Sequence, residues 1–319
     1  MGNIQGSLSL SIHNYQDINL SDYTLSQERN DERFGHIYVM KSKIANKTVL
    51  IKERQPNFQK ENIDEVTKRL ELSNDYLLKI FDIKKLADTN TYQILFEDFN
   101  TDLDKEIRRH LNEKTRFHEG ELYAILYCTV SALSALENNK LAHDFVVPSN
   151  LLKISREVYK THDNYILQQK QTIYSHALKG QYVRYLAPEL FESFAQKKET
   201  PAFHDHCKAD IYALGVCLLD AGLLNLEGDF VNKKLNVFDE LRLKEKLKIF
   251  SEKYSRPMTR ILEDMLCLDP SRRPSPSLLL KRLPGRPVSK SSKESSAKKS
   301  FIKDYSLQSS PYVIHFLFY

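Results

Sequence analysis

The sequence predicts an α+β fold of two lobes, a small β-rich lobe over about residues 23–99 and a larger helical lobe over about 100–283. Short runs of β-branched and aromatic residues fill the first third of the chain, and apolar residues recur at helical spacing in the remainder. With 319 residues, of which 41% are hydrophobic, the chain is long enough for one large domain with a sizeable core. We therefore expect a cleft between the lobes.

The first lobe is predicted to contain four strands and one helix. Ile63, Val66 and Leu70 recur at helical spacing in a charged background and predict the helix. A turn-like segment at 45–47 separates the first two strands. The strands are predicted from four β-branched and aromatic runs: Ile37–Met40, Thr48–Ile51, Leu77–Phe81 and Tyr92–Phe96.

Two helices dominate the prediction for the second lobe. The segment Ala213–Leu224 is apolar almost all round, which predicts a buried helix. An apolar stripe about four turns long predicts the other helix, and it consists of Leu122, Ile125, Leu126, Val130, Leu133 and Leu136.

The two ends of the chain are expected to lie outside the domain, as an N-terminal extension over 1–22 and a disordered basic tail over 284–319. Residues 281–303 are rich in serine and basic residues and poor in apolar ones, so they cannot bury enough surface to offset the entropy of folding. The segment Pro311–Tyr319 is abruptly apolar. It could dock on the domain or on a partner, but it is too short to anchor in a membrane.

The first residues partly fit the myristoylation pattern M-G-x-x-x-[ST]. Gly2 is in place, but Gly6 occupies the Ser/Thr position and Ser7 comes one residue late. A lipidated Gly2 and a chance glycine both stay open. If Gly2 is lipidated, one acyl chain gives marginal binding to a membrane surface, and the basic tail would supply a second signal.

Composition narrows the class of protein. Four cysteines without a C-x-x-C pair, and the lack of a signal peptide, predict reduced thiols in an intracellular, cytoplasmic protein. No apolar run reaches the roughly 18 residues that span a bilayer, and the mild net charge of +5 indicates no specific nucleic-acid partner.

The segment His204–Cys207 contains side chains of the types that bind metals. It has no second ligand pair nearby, so we interpret it as a surface loop rather than a zinc site.

The segment Leu141–Ile154 carries the most informative motif. It resembles the catalytic loop of the protein kinase family, H-R-D-L-x-x-x-N, because His143, Pro148 and Asn150 fall in step with it. Asp144 stands in the position of the family's arginine, Phe145 in that of the catalytic aspartate, and Val147 in that of the loop lysine. The resemblance implies a loop that keeps the spacing of the family's catalytic loop but lacks the side chains that take part in catalysis.

Four further motifs follow in kinase order. Val49–Lys52 is similar to the V-A-I-K strand, whose lysine holds the α- and β-phosphates of ATP, and Ala187–Glu189 matches A-P-E. Asp210–Val216 resembles the buried helix whose aspartate supports the catalytic loop. Asp269–Pro274 resembles the late D-P-x-x-R-P motif. By this resemblance, Glu189 and Arg273 form a buried ion pair.

The glycine-rich loop of the family departs from its pattern here. Glycines let backbone amides close over phosphate oxygens, but only Gly35 remains in the corresponding segment Asn30–Gly35. Glu32 takes the second glycine's place, beside Asp31, and carboxylates near a triphosphate repel it. The interpretation is an acidic hairpin that no longer covers a nucleotide.

The remaining nucleotide-site residues are inferred from the family's spacing. Asp163-Asn164-Tyr165 falls at the D-F-G position, so Asn150 and Asp163 would hold a magnesium ion if metal binding is retained; a chance aspartate is the other interpretation. Glu65, or alternatively Glu61, would pair with Lys52. Phe96–Phe99 would be the hinge that borders the adenine, with Glu97 and Phe99 among its positions.

The resemblance implies two functions. The first is a pseudokinase, a scaffold or allosteric module for protein partners, with weak or absent binding of ATP and Mg²⁺. The second is a divergent active serine/threonine kinase that transfers the γ-phosphate of ATP to protein hydroxyls. In this second hypothesis, the family's arginine is deleted and one residue is inserted after it, so that Asp144 is the stand-in base.

Overall fold

The computed structural model describes residues 22–31, 35–44, 47–54, 68–85, 91–162, 182–195, 204–224, 230–232 and 237–285. They form a β-rich first lobe and a helical second lobe, so the predicted α+β fold is confirmed. Almost all of the N-terminal extension and of the basic tail lies outside the described residues.

The first lobe is built on an antiparallel five-stranded sheet in the order β1-β2-β3-β5-β4. Ile37, Leu50 and Phe96 are fully buried in the core of this lobe. Of the predicted strands, only 77–81 was placed too early, because Leu77 makes an isolated bridge to Thr161 before the strand begins. The strands are β1 (Tyr23–Asp31), β2 (Gly35–Ser42), β3 (Thr48–Arg54), β4 (Ile80–Lys85) and β5 (Tyr92–Glu97).

The second lobe contains seven helices among the described residues, around one large apolar core. A three-stranded sheet in the order β6-β7-β8 flanks the catalytic loop. The helices are α1 (Leu103–Asn112), α2 (Glu119–Asn138), α3 (Pro188–Ala195), α4 (His206–Leu223), α5 (Glu240–Ser251), α6 (Arg256–Met265) and α7 (Pro276–Arg282). The short strands are β6 (Thr101–Asp102), β7 (Leu151–Ser155), β8 (Val158–Thr161), β9 (Val231–Asn232) and β10 (Val237–Phe238).

Helix α4 is the centre of the second lobe, as its apolar sequence predicts. Residues 209–222 of this helix are all buried. The side chain of Asp205 caps the first turn by accepting from the N–H of Lys208, and Leu224 ends the helix in the left-handed conformation. The segment His204–Cys207 is therefore not a surface loop throughout, because His206 and Cys207 form the first turn of α4.

Helix α4 packs so closely on α5 that Gly222 has no room for a side chain. A Cβ atom there would lie 2.3 Å from Cε2 of the fully buried Phe250. We expect Gly222→Ala to lower the free energy of unfolding by about 1–3 kcal/mol, because overpacking forces neighbouring groups apart. Urea denaturation measures this, with Gly120→Ala as the control, since a Cβ at Gly120 meets nothing within 4 Å. Equal stability of the two variants would contradict the close contact.

All four cysteines lie in the described part of the chain and none forms a disulfide. Within that same part, no helix combines the length and the hydrophobicity that a membrane span requires.

Candidate functional site

The catalytic loop is fixed to helix α4 through Asp210. The carboxylate of this residue accepts hydrogen bonds from the backbone N–H groups of His143 at 2.7 Å and of Asp144 at 2.9 Å. Asp144 has a φ of 66°, a left-handed conformation that costs energy for a residue with a side chain. The two hydrogen bonds hold this turn, so the role that the sequence predicts for Asp210 is confirmed.

His143 is a buried, neutral histidine. Its Nδ1 accepts from the N–H of Phe145, and its Nε2 lies 3.1 Å from the carbonyl oxygen of His162 and donates to it. Burial and, to a lesser extent, the nearby Arg69 lower the pKa of His143 to about 4, against the raising effects of the His162 carbonyl and of Asp144.

This shift makes stability depend on pH. The unfolded chain takes up a proton at His143 near pH 6.5, whereas the folded chain does so only near its pKa of about 4. Stability is therefore lost as the pH falls through this window, by on the order of 2–3 kcal/mol. We expect His143→Gln to lose less stability than the wild type between pH 7 and 4 in urea denaturation. Parallel pH profiles of the two proteins would argue against a neutral His143.

Asp144 turns its side chain toward the start of helix α4. Its Oδ1 lies 2.7 Å from Nδ1 of His206, and only 1% of its side chain is exposed. The neighbouring Asp210 is also buried, and burial together with the charge of Asp144 raises the pKa of Asp210. The carboxylate of Asp144 thus belongs to a buried cluster beneath the loop.

Phe145 is part of the apolar core of the second lobe. It is 7% exposed, and its ring lies edge-on to that of Tyr182 at 5.5 Å between centroids. Val147 is buried in the same core. The two positions that hold the catalytic aspartate and the loop lysine in kinases are therefore packing positions here.

Asn150 ends the loop in the position that the motif predicts. It closes a short 3-10 turn that begins at Pro148, and its Nδ2 donates to the carbonyl oxygen of Phe145 at 3.0 Å. Its own carbonyl oxygen accepts from the N–H of His162. With Nδ2 engaged, the side-chain oxygen of Asn150 is the atom that could bind a cation. Asp163, the second magnesium ligand that the sequence suggests, lies outside the described residues.

Lys52 lies in the middle strand of the first lobe. On β3 it is opposite Ile37 of β2 and Ile94 of β5, and it is 5% exposed. The predicted strand Thr48–Ile51 is confirmed, and it continues through Lys52. Both candidate partners of this lysine, Glu65 and Glu61, lie outside the described residues, as does Glu32 of the acidic hairpin.

The hinge is occupied by its own hydrogen bonds. The carboxylate of Glu97 binds Nζ of Lys160 at 2.6 and 2.8 Å and accepts from the N–H of Lys79 at 3.3 Å. The N–H of Phe99 donates to Oδ1 of Asp98 at 2.9 Å. The Glu97 side chain therefore has a structural partner, and an adenine would compete with Asp98 for the Phe99 amide.

The predicted ion pair between Glu189 and Arg273 is confirmed. The guanidinium of Arg273 meets both carboxylate oxygens of Glu189, at 2.8 and 3.2 Å, and its side chain is fully buried. It also donates to the carbonyl oxygens of Lys208 and Cys267. This pair fixes the A-P-E segment to the loop that follows α6.

Comparison with known proteins agrees with this geometry. A family model for the protein kinase domain matches residues 33–283, which is most of the chain. The chain belongs to the protein kinase family. A search of curated proteins found no match.

In this kinase domain, a second buried ion pair precedes the A-P-E motif and was not predicted. Arg184 lies 2.7 Å from the carboxylate of Asp220 on α4, and the hydroxyl of Tyr185 donates to the same carboxylate at 2.8 Å. The partnership of Asp144 with His206 was also missed. Both pairs join residues far apart in the sequence, and no local pattern indicates such a contact.

Kinase domains typically hold ATP and Mg²⁺ between their lobes, and the described residues fit these groups only in part. Lys52 is buried on the correct strand, and Asn150 keeps a side-chain oxygen for a cation. The amide of Phe99 is engaged by Asp98. Among the described residues, no cluster of three or more histidine, cysteine or carboxylate side chains could hold a metal ion.

Proposed function

We propose that this kinase domain is a pseudokinase, a binding, scaffolding or allosteric module that transfers no phosphate. The observation that carries the proposal is the position of Phe145, which packs against Tyr182 in the apolar core where kinases have their catalytic base. A phenyl ring neither accepts a proton nor binds a substrate hydroxyl.

The loss of one base does not by itself end phosphoryl transfer. A general base contributes about 10²–10⁴ in rate, and positioning and electrostatics do most of the work in kinases. Here Val147 also replaces the loop lysine, and the sequence of the acidic hairpin lacks two of the three glycines. The proposal rests on these three losses together.

Asp144 is a poor substitute for the base. Its carboxylate is buried and bound to His206 on the α4 side of the loop, and its own N–H is held by Asp210. A catalytic base must lie within hydrogen-bond reach of the substrate hydroxyl, and moving Asp144 there would break both contacts. We infer that it is a structural residue.

Nucleotide binding is expected to be weak or absent. If ATP binds, Lys52 would meet its phosphates, and Asn150 with Asp163 would hold Mg²⁺, which neutralises phosphate charge when bound. Against this, adenine would have to compete with Asp98 for the Phe99 amide, which lowers the binding free energy that the hinge can contribute.

The alternative is a divergent serine/threonine kinase. What favours it is that Lys52 and Asn150 keep their family positions, buried in β3 and at the end of the loop. In that case Asp144 would act as the base.

A nucleotide titration followed by a phosphotransfer assay separates the two functions. We expect little or no ATP-dependent rise in melting temperature, with or without Mg²⁺, and no phosphate incorporation into protein substrates. Lys52→Met and Asp144→Ala, beside Lys41→Met at an exposed lysine of β2 as the control, test any activity found. Robust transfer that both Lys52→Met and Asp144→Ala abolish would overturn the pseudokinase proposal.

The partners of such a module are expected to be proteins. A membrane surface is a second partner if Gly2 is myristoylated and the basic tail binds acidic lipids. The intact mass of the protein from its native cell tests the first condition.

A further inference from the structure

A cleft of about 230 Å³ lies beside the hinge, outside the nucleotide site. It is bounded by the segment that leads from the helical residues 68–71 into β4, by α2 and by β8. Lys160, which binds Glu97 of the hinge, stands at its edge. Its aliphatic lining consists of Leu70, Leu72, Leu77, Leu78, Ile80 and Leu136.

The walls of this cleft are held in place by hydrogen bonds, so the opening is preformed. Asn74 accepts from the N–H of Tyr76 at 2.9 Å, and its Nδ2 lies 3.5 Å from the carbonyl oxygen of Ser131 on α2. The N–H of Leu78 donates to the carbonyl oxygen of Thr161, and the N–H of Thr161 donates to the carbonyl oxygen of Tyr76. A preformed site, here with walls that are partly aliphatic and partly polar, binds a ligand without the cost of ordering its walls.

We propose that the apolar segment Val313–Tyr319 of the same chain docks in this cleft. The segment has no acidic or basic side chain other than His315, so burying its other side chains removes no charged side chain from water. The Lys-rich stretch before it has no such fit, because the cations that line the cleft outnumber its one carboxylate, Asp75. These differences place the apolar segment in the cleft and leave the basic stretch outside.

The described chain ends on the side of α2 that leads to the cleft. The hydroxyl of Tyr123 donates to the carbonyl oxygen of Pro284, near the last described residue. Tyr123, Tyr127 and Ser131 follow at intervals of four and share one face of α2. The ring of Tyr127 meets that of Tyr76 at 5.9 Å between centroids. This face therefore runs from Pro284 to the wall of the cleft.

The length of the connecting chain suits this distance. From Tyr123 to Leu136, the rise along α2 is about 20 Å. Residues 286–312 have the Ser/Lys-rich composition of a linker, and a flexible chain of that length has a root-mean-square span of about 30 Å. When span and distance are comparable, a tethered segment has an effective concentration on the order of millimolar. A weak apolar contact is then sufficient for docking.

Disulfide trapping in the full chain tests the proposal. One variant combines Ser73→Cys at the exposed rim of the cleft with Leu317→Cys, and the matched control combines Ser251→Cys at the exposed end of α5 with Leu317→Cys. We expect an intramolecular disulfide to form at least about tenfold faster in the first variant. Equal rates would overturn the proposal, and so would a cross-link that is intermolecular and grows with concentration, since a second copy would then be the occupant.

Hydrogen exchange without engineered cysteines gives an independent readout. We expect Phe316→Asp with Phe318→Asp to raise amide exchange across 72–80 by about threefold or more. Ser309→Asp with Ser310→Asp adds the same charge upstream and should leave the exchange unchanged. Unchanged exchange in the first variant, or protection of the tail only when anionic vesicles are added, would show that the segment does not occupy the cleft. The test does not depend on phosphate transfer.

Discussion

Phe145→Asp, which restores the kinase residue at the catalytic position, is expected to destabilise the protein and to restore no activity. Removing a buried phenyl ring costs about 3–5 kcal/mol, and a carboxylate in its place adds the cost of burying a charge among apolar groups. Since whole domains are stable by about 5–15 kcal/mol, the loss would be a large part of the total. Urea denaturation and a phosphotransfer assay on the same preparation measure both effects.

Phe145→Leu is the matched control, because it keeps an apolar side chain beside Tyr182. It should lose well under half of the stability that Phe145→Asp loses. If Phe145→Asp were as stable as the wild type and gained phosphotransfer, position 145 would face the substrate rather than the core. The pseudokinase proposal would then be wrong.

The structure separates the frame of the catalytic loop from its chemistry. The frame depends on backbone hydrogen bonds to Asp210 and on the amide of Asn150, and both are kept. The chemistry depends on side chains at 145 and 147, and both have become apolar and buried. A loop held by its backbone can change these side chains without losing its course.

The parts of the site that the sequence predicts are those with a motif of their own. Asp210, Glu189 and Arg273 belong to short segments that resemble kinase motifs, and their predicted contacts are present. Lys52 was placed correctly because a β-branched run surrounds it. In each case the residue lies within the short sequence pattern that predicts its position.

The contacts that were missed have no local pattern. Asp144 and His206 are 62 positions apart, and their pairing depends on how the loop crosses the first turn of α4. Lys160 and Glu97 meet only because β8 runs beside the hinge. The sequence does contain a capping signal at Asp205, because aspartate is a preferred N-cap residue. With Asp205 as the N-cap, His206 is predicted to begin a helix, as it does in the structure.

Breaking the ion pair between Glu189 and Arg273 is also expected to lower the free energy of unfolding by several kcal/mol. Glu189→Ala leaves the fully buried guanidinium of Arg273 without its counter-charge. Such a loss typically costs about 3–5 kcal/mol, because the desolvated charge is no longer compensated. We expect a value toward the lower end, since Arg273 keeps hydrogen bonds to the carbonyls of Lys208 and Cys267 and lies 5.0 Å from the centre of the Tyr212 ring.

The controls for this prediction distinguish an unpaired charge from a lost contact. Arg272→Ala, at the exposed neighbour, should change the free energy of unfolding by less than about 0.5 kcal/mol. Glu189→Gln keeps an acceptor for Arg273 but removes the charge, so it should fall between the wild type and Glu189→Ala. If Glu189→Ala were as stable as Arg272→Ala, the backbone acceptors alone would be sufficient for Arg273. The carboxylate would then serve only to position the A-P-E segment.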